Sequence, residues 1–102
     1  MGVQSFFWLY LFKVKMVKTF VLKNELGLHA RAAAMMVKVT TKYKSTILFE
    51  SNGNEVDGKS ILSILTLACP KGGTITIKAE GEDACDAIKD LEKLIENKFG
   101  EN

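Results

Sequence analysis

Gly27-Leu28-His29-Ala30-Arg31-Ala32-Ala33-Ala34-Met35-Met36-Val37-Lys38-Val39-Thr40 organises this chain, and it contains the only histidine among 102 residues. The alanine-rich run suits a helix from Ala30 to about Thr41. Within it Ala33, Met36, Val37 and Thr40 recur at i, i+3, i+4 and i+7, which gives one inward stripe. Met35 and Met36 read as packing residues. Asn24-Glu25-Leu26-Gly27 breaks the chain just before, so His29 falls at the start of the helix. Helix starts leave backbone N–H groups unpaired and carry partial positive charge, a combination that attracts phosphate. A neutral imidazole nitrogen there can act as a nucleophile, with Arg31 two residues on. The plainer alternative is that His29 only packs or caps.

Working outward, Val17 to Lys23 reads as a strand with Phe20 and Leu22 on one face. Thr46 to Glu50 is a second strand, with Ile47 and Phe49 inward. Ser51-Asn52-Gly53-Asn54 is a hairpin turn leading to a short third strand, Glu55 to Asp57. Ser60 to about Leu67 reads as a short helix that Cys69-Pro70-Lys71-Gly72-Gly73 ends. Thr74 to Ala79 alternates with Ile75, Ile77 and Ala79 inward. After Gly81-Glu82-Asp83, a last helix runs from Ala84 to about Phe99 on Ile88, Leu91, Ile95 and Phe99. The order β-α-β-β-α-β-α predicts an α+β open sandwich, a four-stranded, mostly antiparallel sheet with three helices on one face.

The first fifteen residues differ from the rest. Phe6-Phe7-Trp8-Leu9-Tyr10-Leu11-Phe12 is too short to span a bilayer, which takes ~20 residues. It also lacks the charge order and cleavage site of a signal peptide. Residues 1–15 therefore read as an extension, with Met16 a candidate start and 16–102 as the domain. The extension's candidate resting place is the open sheet face, where Val17, Val21 and Leu48 point.

A net charge of +2 with scattered lysines argues against nucleic acid. Cys69 and Cys85 form no Cys-x-x-Cys pair, and a single His gives no zinc ligand set. A strand between the two would hold them apart, so both read as buried thiols in a reducing cytoplasm. Neither a catalytic triad nor a cofactor or metal site stands out.

Ser60 suits an N-cap, though Ser63 in place of an acid three residues on leaves the capping box incomplete. Ile64 and Leu67 supply the buried stripe of that short helix. Ile61, Leu62 and Leu65 are then surplus, either exposed for docking or buried all round. A phosphate on Ser60 would add about −2 charge beside them. Gly53 to Ser60 matches G-x-x-x-x-G-K-S formally, a third reading as a small nucleotide binder. Glu55 and Asp57 within the loop would repel phosphate, and the preceding strand is not a continuous apolar run.

Leu28-His29-Ala30-Arg31, Gly58-Lys59-Ser60-Ile61-Leu62 and Lys71-Gly72 together resemble the HPr family, the histidine-containing phosphocarriers of the bacterial sugar phosphotransferase system. The resemblance spans about Met16 to Phe99 and implies the family's open-faced sandwich. It implies that His29 takes a phosphoryl group on Nδ1 from phosphorylated enzyme I and passes it to enzyme IIA domains, with Arg31 neutralising phosphoryl oxygens. It implies that Ser60 is a regulatory serine for an HPr kinase/phosphorylase, with a transcriptional regulator as a further partner. Ile61, Leu62 and Leu65, with Ala30 and Ala34, would form the docking patch. The protein would then be a cytoplasmic, monomeric carrier rather than an enzyme. A regulatory paralogue acting mainly through Ser60 is the alternative. Ala32 stands where the family usually has proline; phosphorylation is expected to survive the change.

Overall fold

The computed structural model describes residues 14–101. Strands β1 (Lys15–Val21), β2 (Thr46–Ser51), β3 (Asn54–Asp57) and β4 (Thr74–Glu80) form one sheet in the order β1-β4-β2-β3. All three strand pairs are antiparallel, so the sheet is antiparallel throughout. Helices α1 (Ala30–Thr40), α2 (Ile61–Leu65) and α3 (Ala84–Glu96) cover one face, and a 3-10 turn follows at Lys98–Gly100. The calls on the extension at residues 1–13 lie outside the described residues. The chain has entered the sheet before residue 16: β1 begins at Lys15, and the Val14 carbonyl accepts Gly81 N–H at 2.9 Å.

Alternation decides which face is covered. Phe20, Ile47, Phe49, Ile75, Ile77 and Ala79 are buried against the helices, whereas Val17 and Val21 are 54% and 48% exposed on the other face. From α1 come Ala32, Ala33, Met36 and Thr40; from α3 come Ala84, Ala87, Ile88, Leu91 and Ile95. Each large side chain fully buried in such a core contributes roughly 1.5–3 kcal/mol. Leu22 lies just past the end of β1 yet still pairs, donating to Gly73 O and accepting from Gly72 N–H, at 2.9 and 2.8 Å.

Two expectations change. Cys69 is buried but Cys85 is exposed, because the apolar stripe of α3 passes through positions 84, 87, 88, 91 and 95 and leaves 85 on the solvent side. The last helix stops at Glu96 rather than running to Phe99. Lys98 and Phe99 both take φ of 55°, and this left-handed turn folds the buried Phe99 back onto the core. The turn redirects the chain toward the start of α1.

The loop at 53–60 is a hairpin, not a phosphate cradle. Asn52 and Gly53, with φ of 52° and 81°, make the tight turn, and residues 54–57 pair with β2. Lys59 Nζ is held by the Tyr43 carbonyl at 2.7 Å.

Candidate functional site

His29 occupies the N-cap position of α1 in extended conformation (φ −93°, ψ 177°). A close backbone approach places it there. Gly27, at φ +62°, lies so near Cys69 and Pro70 that a Cβ would sit 2.6 Å from Cys69 O, and Leu28 N–H donates to that same carbonyl at 2.9 Å. Gly27 is therefore required twice, for its left-handed φ and for its missing side chain.

The His29 side chain does not cap its own helix. Among the described residues no acceptor reaches the N–H groups of residues 30–32, so the first turn keeps its free donors. One of these belongs to Ala32, where a proline would have none. No acidic residue lies in the first turn, and Arg31 is exposed there.

The ring turns instead toward the C-terminal segment. His29 Nε2 lies 2.9 Å from Glu101 Oε2, and the His29 side chain is 24% exposed. Glu101 also accepts from Asn24 Nδ2 at 2.7 Å and from Leu26 N–H at 3.3 Å. Burial alone would push the Glu101 carboxyl up; hydrogen bonds from Asn24, His29 and Leu26 outweigh it and hold the carboxyl below the usual carboxylate range. An ionised carboxylate only accepts hydrogen bonds, so Nε2 carries the hydrogen. In the neutral ring the lone pair is then on Nδ1, which has no hydrogen-bond partner among the described residues.

Asn24 is fully buried and its orientation is fixed. Its Nδ2 lies 2.7 Å from both Gly27 O and Glu101 Oε2, and a flipped amide would set oxygen against oxygen. Its Oδ1 is left without a partner. Neither Asn24 nor Glu101 was legible as a site residue. Glu101 is 72 positions from His29, and no local spacing links them.

Ser60 is the N-cap of α2, and its Oγ accepts Ser63 N–H at 3.3 Å, as the sequence suggests. Gly58 sets it in place much as Gly27 sets His29. Gly58 N–H donates to Ile47 O at 2.8 Å, and a Cβ at residue 58 would come within 2.9 Å of that oxygen. Ile64 and Leu67 are buried, Leu65 packs half-buried against the core, and Ile61 and Leu62 are exposed, Leu62 at 77%. Ala30 and Ala34 are exposed on α1, which packs against α2.

The matching family model is the PTS HPr component phosphorylation site, over residues 16–97. The phosphocarrier protein HPr of Xylella fastidiosa (strain 9a5c) is 39% identical over 82 residues, covering 80% of this chain and 92% of its own. A crystal structure of HPr from Thermoanaerobacter tengcongensis superposes with a TM-score of 0.82 at 42% identity, covering 85% of this chain and 98% of the other. A swapped dimer of the catabolite-repression protein Crh of Bacillus subtilis gives 0.65 at 31% identity, covering 76% and 90%. The chain belongs to the HPr family of phosphocarriers of the phosphotransferase system.

Proposed function

We propose that the protein carries a phosphoryl group on His29 Nδ1, taking it from phosphorylated enzyme I and giving it to enzyme IIA domains in sugar uptake. The observation that carries this reading is the arrangement at the start of α1. His29 leaves the first-turn N–H groups free, and its Nε2 is occupied by Glu101, so the unpartnered Nδ1 is the nitrogen left to react. Phosphoryl transfer between two imidazoles needs positioning and charge neutralisation more than covalent machinery. Free N–H groups at residues 30–32 and the Arg31 guanidinium supply the neutralisation. The partner completes the site, so the carrier turns over nothing alone. Exposed Ala30, Ala34, Ile61 and Leu62, with half-buried Leu65, form the surface on which partners dock. The protein acts as a cytoplasmic monomer.

A second reading rests on Ser60. Its hydroxyl is partly exposed at the start of α2 beside exposed Ile61 and Leu62. A kinase could place a phosphate there, where a helix start tolerates it, and the added charge would alter docking to enzyme partners or to a transcriptional regulator. The likeness to Crh keeps this reading in view.

Intact mass after incubation with enzyme I, magnesium and phosphoenolpyruvate tests the first reading. One added phosphoryl group that mild acid removes is expected, since His29 is the only histidine. No addition beside a competent control carrier would leave Ser60 as the working residue.

A further inference from the structure

We propose that Glu101 is a positioning residue for phosphoryl transfer: it keeps the Nε2 hydrogen of His29 in place before, during and after the group passes through Nδ1. The inference rests on the carrier reading and adds a residue to it.

The C-terminal segment is built to deliver this carboxylate. Phe99 is buried and takes φ of 55°. Gly100 N–H donates to Asn97 O and Glu101 N–H to Lys98 O, each at 3.0 Å, so the chain reverses direction after α3. The reversal brings Glu101 against the Asn24–Gly27 loop. There the buried Asn24 amide and Leu26 N–H each hold one of its two oxygens, Oε2 and Oε1. Three donors from separate residues converge on one carboxylate, and one of them is the ring nitrogen of the only histidine. A surface ion pair held by one long side chain would be expected to wander; this one is fixed from both ends.

The chemistry gives the contact a purpose. In uptake, the Nδ1 lone pair forms a bond to the phosphorus of the phosphohistidine donor, and the donor's N–P bond breaks with its electron pair returning to the donor ring. His29 then carries phosphoryl on Nδ1 and hydrogen on Nε2, so its ring is formally cationic. Glu101 offsets that charge from the other nitrogen, without occupying the phosphoryl side. In donation the N–P electron pair returns to Nδ1 and leaves a neutral imidazole with its Nε2 hydrogen still in place. No proton has to move in either direction. Without the carboxylate, the free ring divides between two tautomers, one of which has no lone pair on Nδ1. The phosphorylated ring would also lose its Nε2 hydrogen more readily, and then would have to depart as an imidazolate, a poorer leaving group. A carboxylate that orients a histidine in this way typically changes function by about tenfold to a hundredfold.

The test compares wild type, Glu101→Ala and Glu101→Gln. The His29 tautomer is read by nitrogen-15 NMR on unphosphorylated protein, and the rate of phosphoryl uptake from phosphorylated enzyme I on the same samples. Wild type is expected to hold the Nε2–H tautomer. Glu101→Ala is expected to populate both tautomers and to take up phosphoryl about tenfold more slowly, with an unchanged thermal melt of the core. Glu101→Gln keeps an oxygen that accepts the Nε2 hydrogen; it should preserve the tautomer and recover part of the rate. A wild-type tautomer and a rate within about twofold in Glu101→Ala would overturn the proposal, as would an Nδ1–H tautomer in wild type. Failure of wild type itself to accept phosphoryl would instead overturn the carrier reading, and the tautomer measurement would still decide whether Glu101 holds Nε2.

Discussion

The starts of α1 and α2 are built alike and end differently. Each has a glycine two residues before the N-cap, pressed against a neighbouring backbone: Gly27 on Cys69 and Pro70, Gly58 on Ile47. Each sets a reactive residue at the N-cap, His29 or Ser60, in extended conformation. Ser60 turns its hydroxyl back to its own helix and accepts Ser63 N–H. His29 turns away, toward Glu101, and leaves its helix donors unclaimed. The difference teaches that an N-cap stabilises a helix by using up the groups that would bind an anion. One helix start is committed to structure, whereas the other keeps its donors for a visiting group at some loss of helix stability.

The comparison breaks most sharply under exchange of function. His29→Ala is expected to abolish phosphoryl uptake from enzyme I with no loss of thermal stability, since the ring caps nothing. Ser60→Ala should leave uptake intact and lower stability by about 1 kcal/mol through the lost cap, measured by denaturant unfolding. Uptake that survived His29→Ala would end the contrast.

Next come the glycines. Gly27→Ala forces a Cβ to 2.6 Å from Cys69 O at a left-handed φ, and Gly58→Ala forces one to 2.9 Å from Ile47 O. Each is expected to lose about 3 kcal/mol, with Gly27→Ala the worse because of its φ and because it also displaces His29. Equal unfolding midpoints for wild type and Gly27→Ala would show that the loop gives way freely.

The start of α3 sharpens the comparison as a third case. Asp83 stands at the N-cap without capping its helix, and its carboxylate instead accepts Lys44 N–H at 2.8 Å, Ser45 N–H at 3.0 Å and the Ser45 hydroxyl. Burial alone would raise this carboxyl, but the Ser45 and backbone hydrogen bonds prevail and lower it. A carboxyl lowered in the folded state adds stability above its unfolded value, lost as pH falls through the folded one. Acid titration below the ordinary carboxylate range should therefore weaken wild type more than Asp83→Asn. At neutral pH that variant should be about 2 kcal/mol less stable.

The smallest effect is expected at Ala32. Ala32→Pro removes one free first-turn N–H and fixes φ where a helix accepts it. Uptake should change by no more than about threefold, and a loss of about a hundredfold would mean that the Ala32 N–H is indispensable.

The legible parts of this molecule were those that repeat. Alternation at Ile47 and Phe49 and at Ile75, Ile77 and Ala79 gave the covered sheet face, and helical spacing gave Ile88, Leu91 and Ile95. His29 and Ser60 were legible because helix starts favour particular residues. Cys85 was misplaced because a cysteine's usual burial was set ahead of its position relative to the α3 stripe. The early end of α3 was hidden because Phe99 is buried in a left-handed turn as firmly as it would be in a helix. Glu101 and Asn24 gave no signal, because the contact that joins them to His29 is made only by the folded chain.

The most direct measurement is phosphorus–nitrogen coupling in the NMR spectrum of nitrogen-15-labelled protein phosphorylated by enzyme I. Coupling to Nδ1 of His29, with hydrogen retained on Nε2, is the expected result. Coupling to Nε2 would mean that the ring must leave Glu101 to react, and it would contradict the division of labour between the two nitrogens.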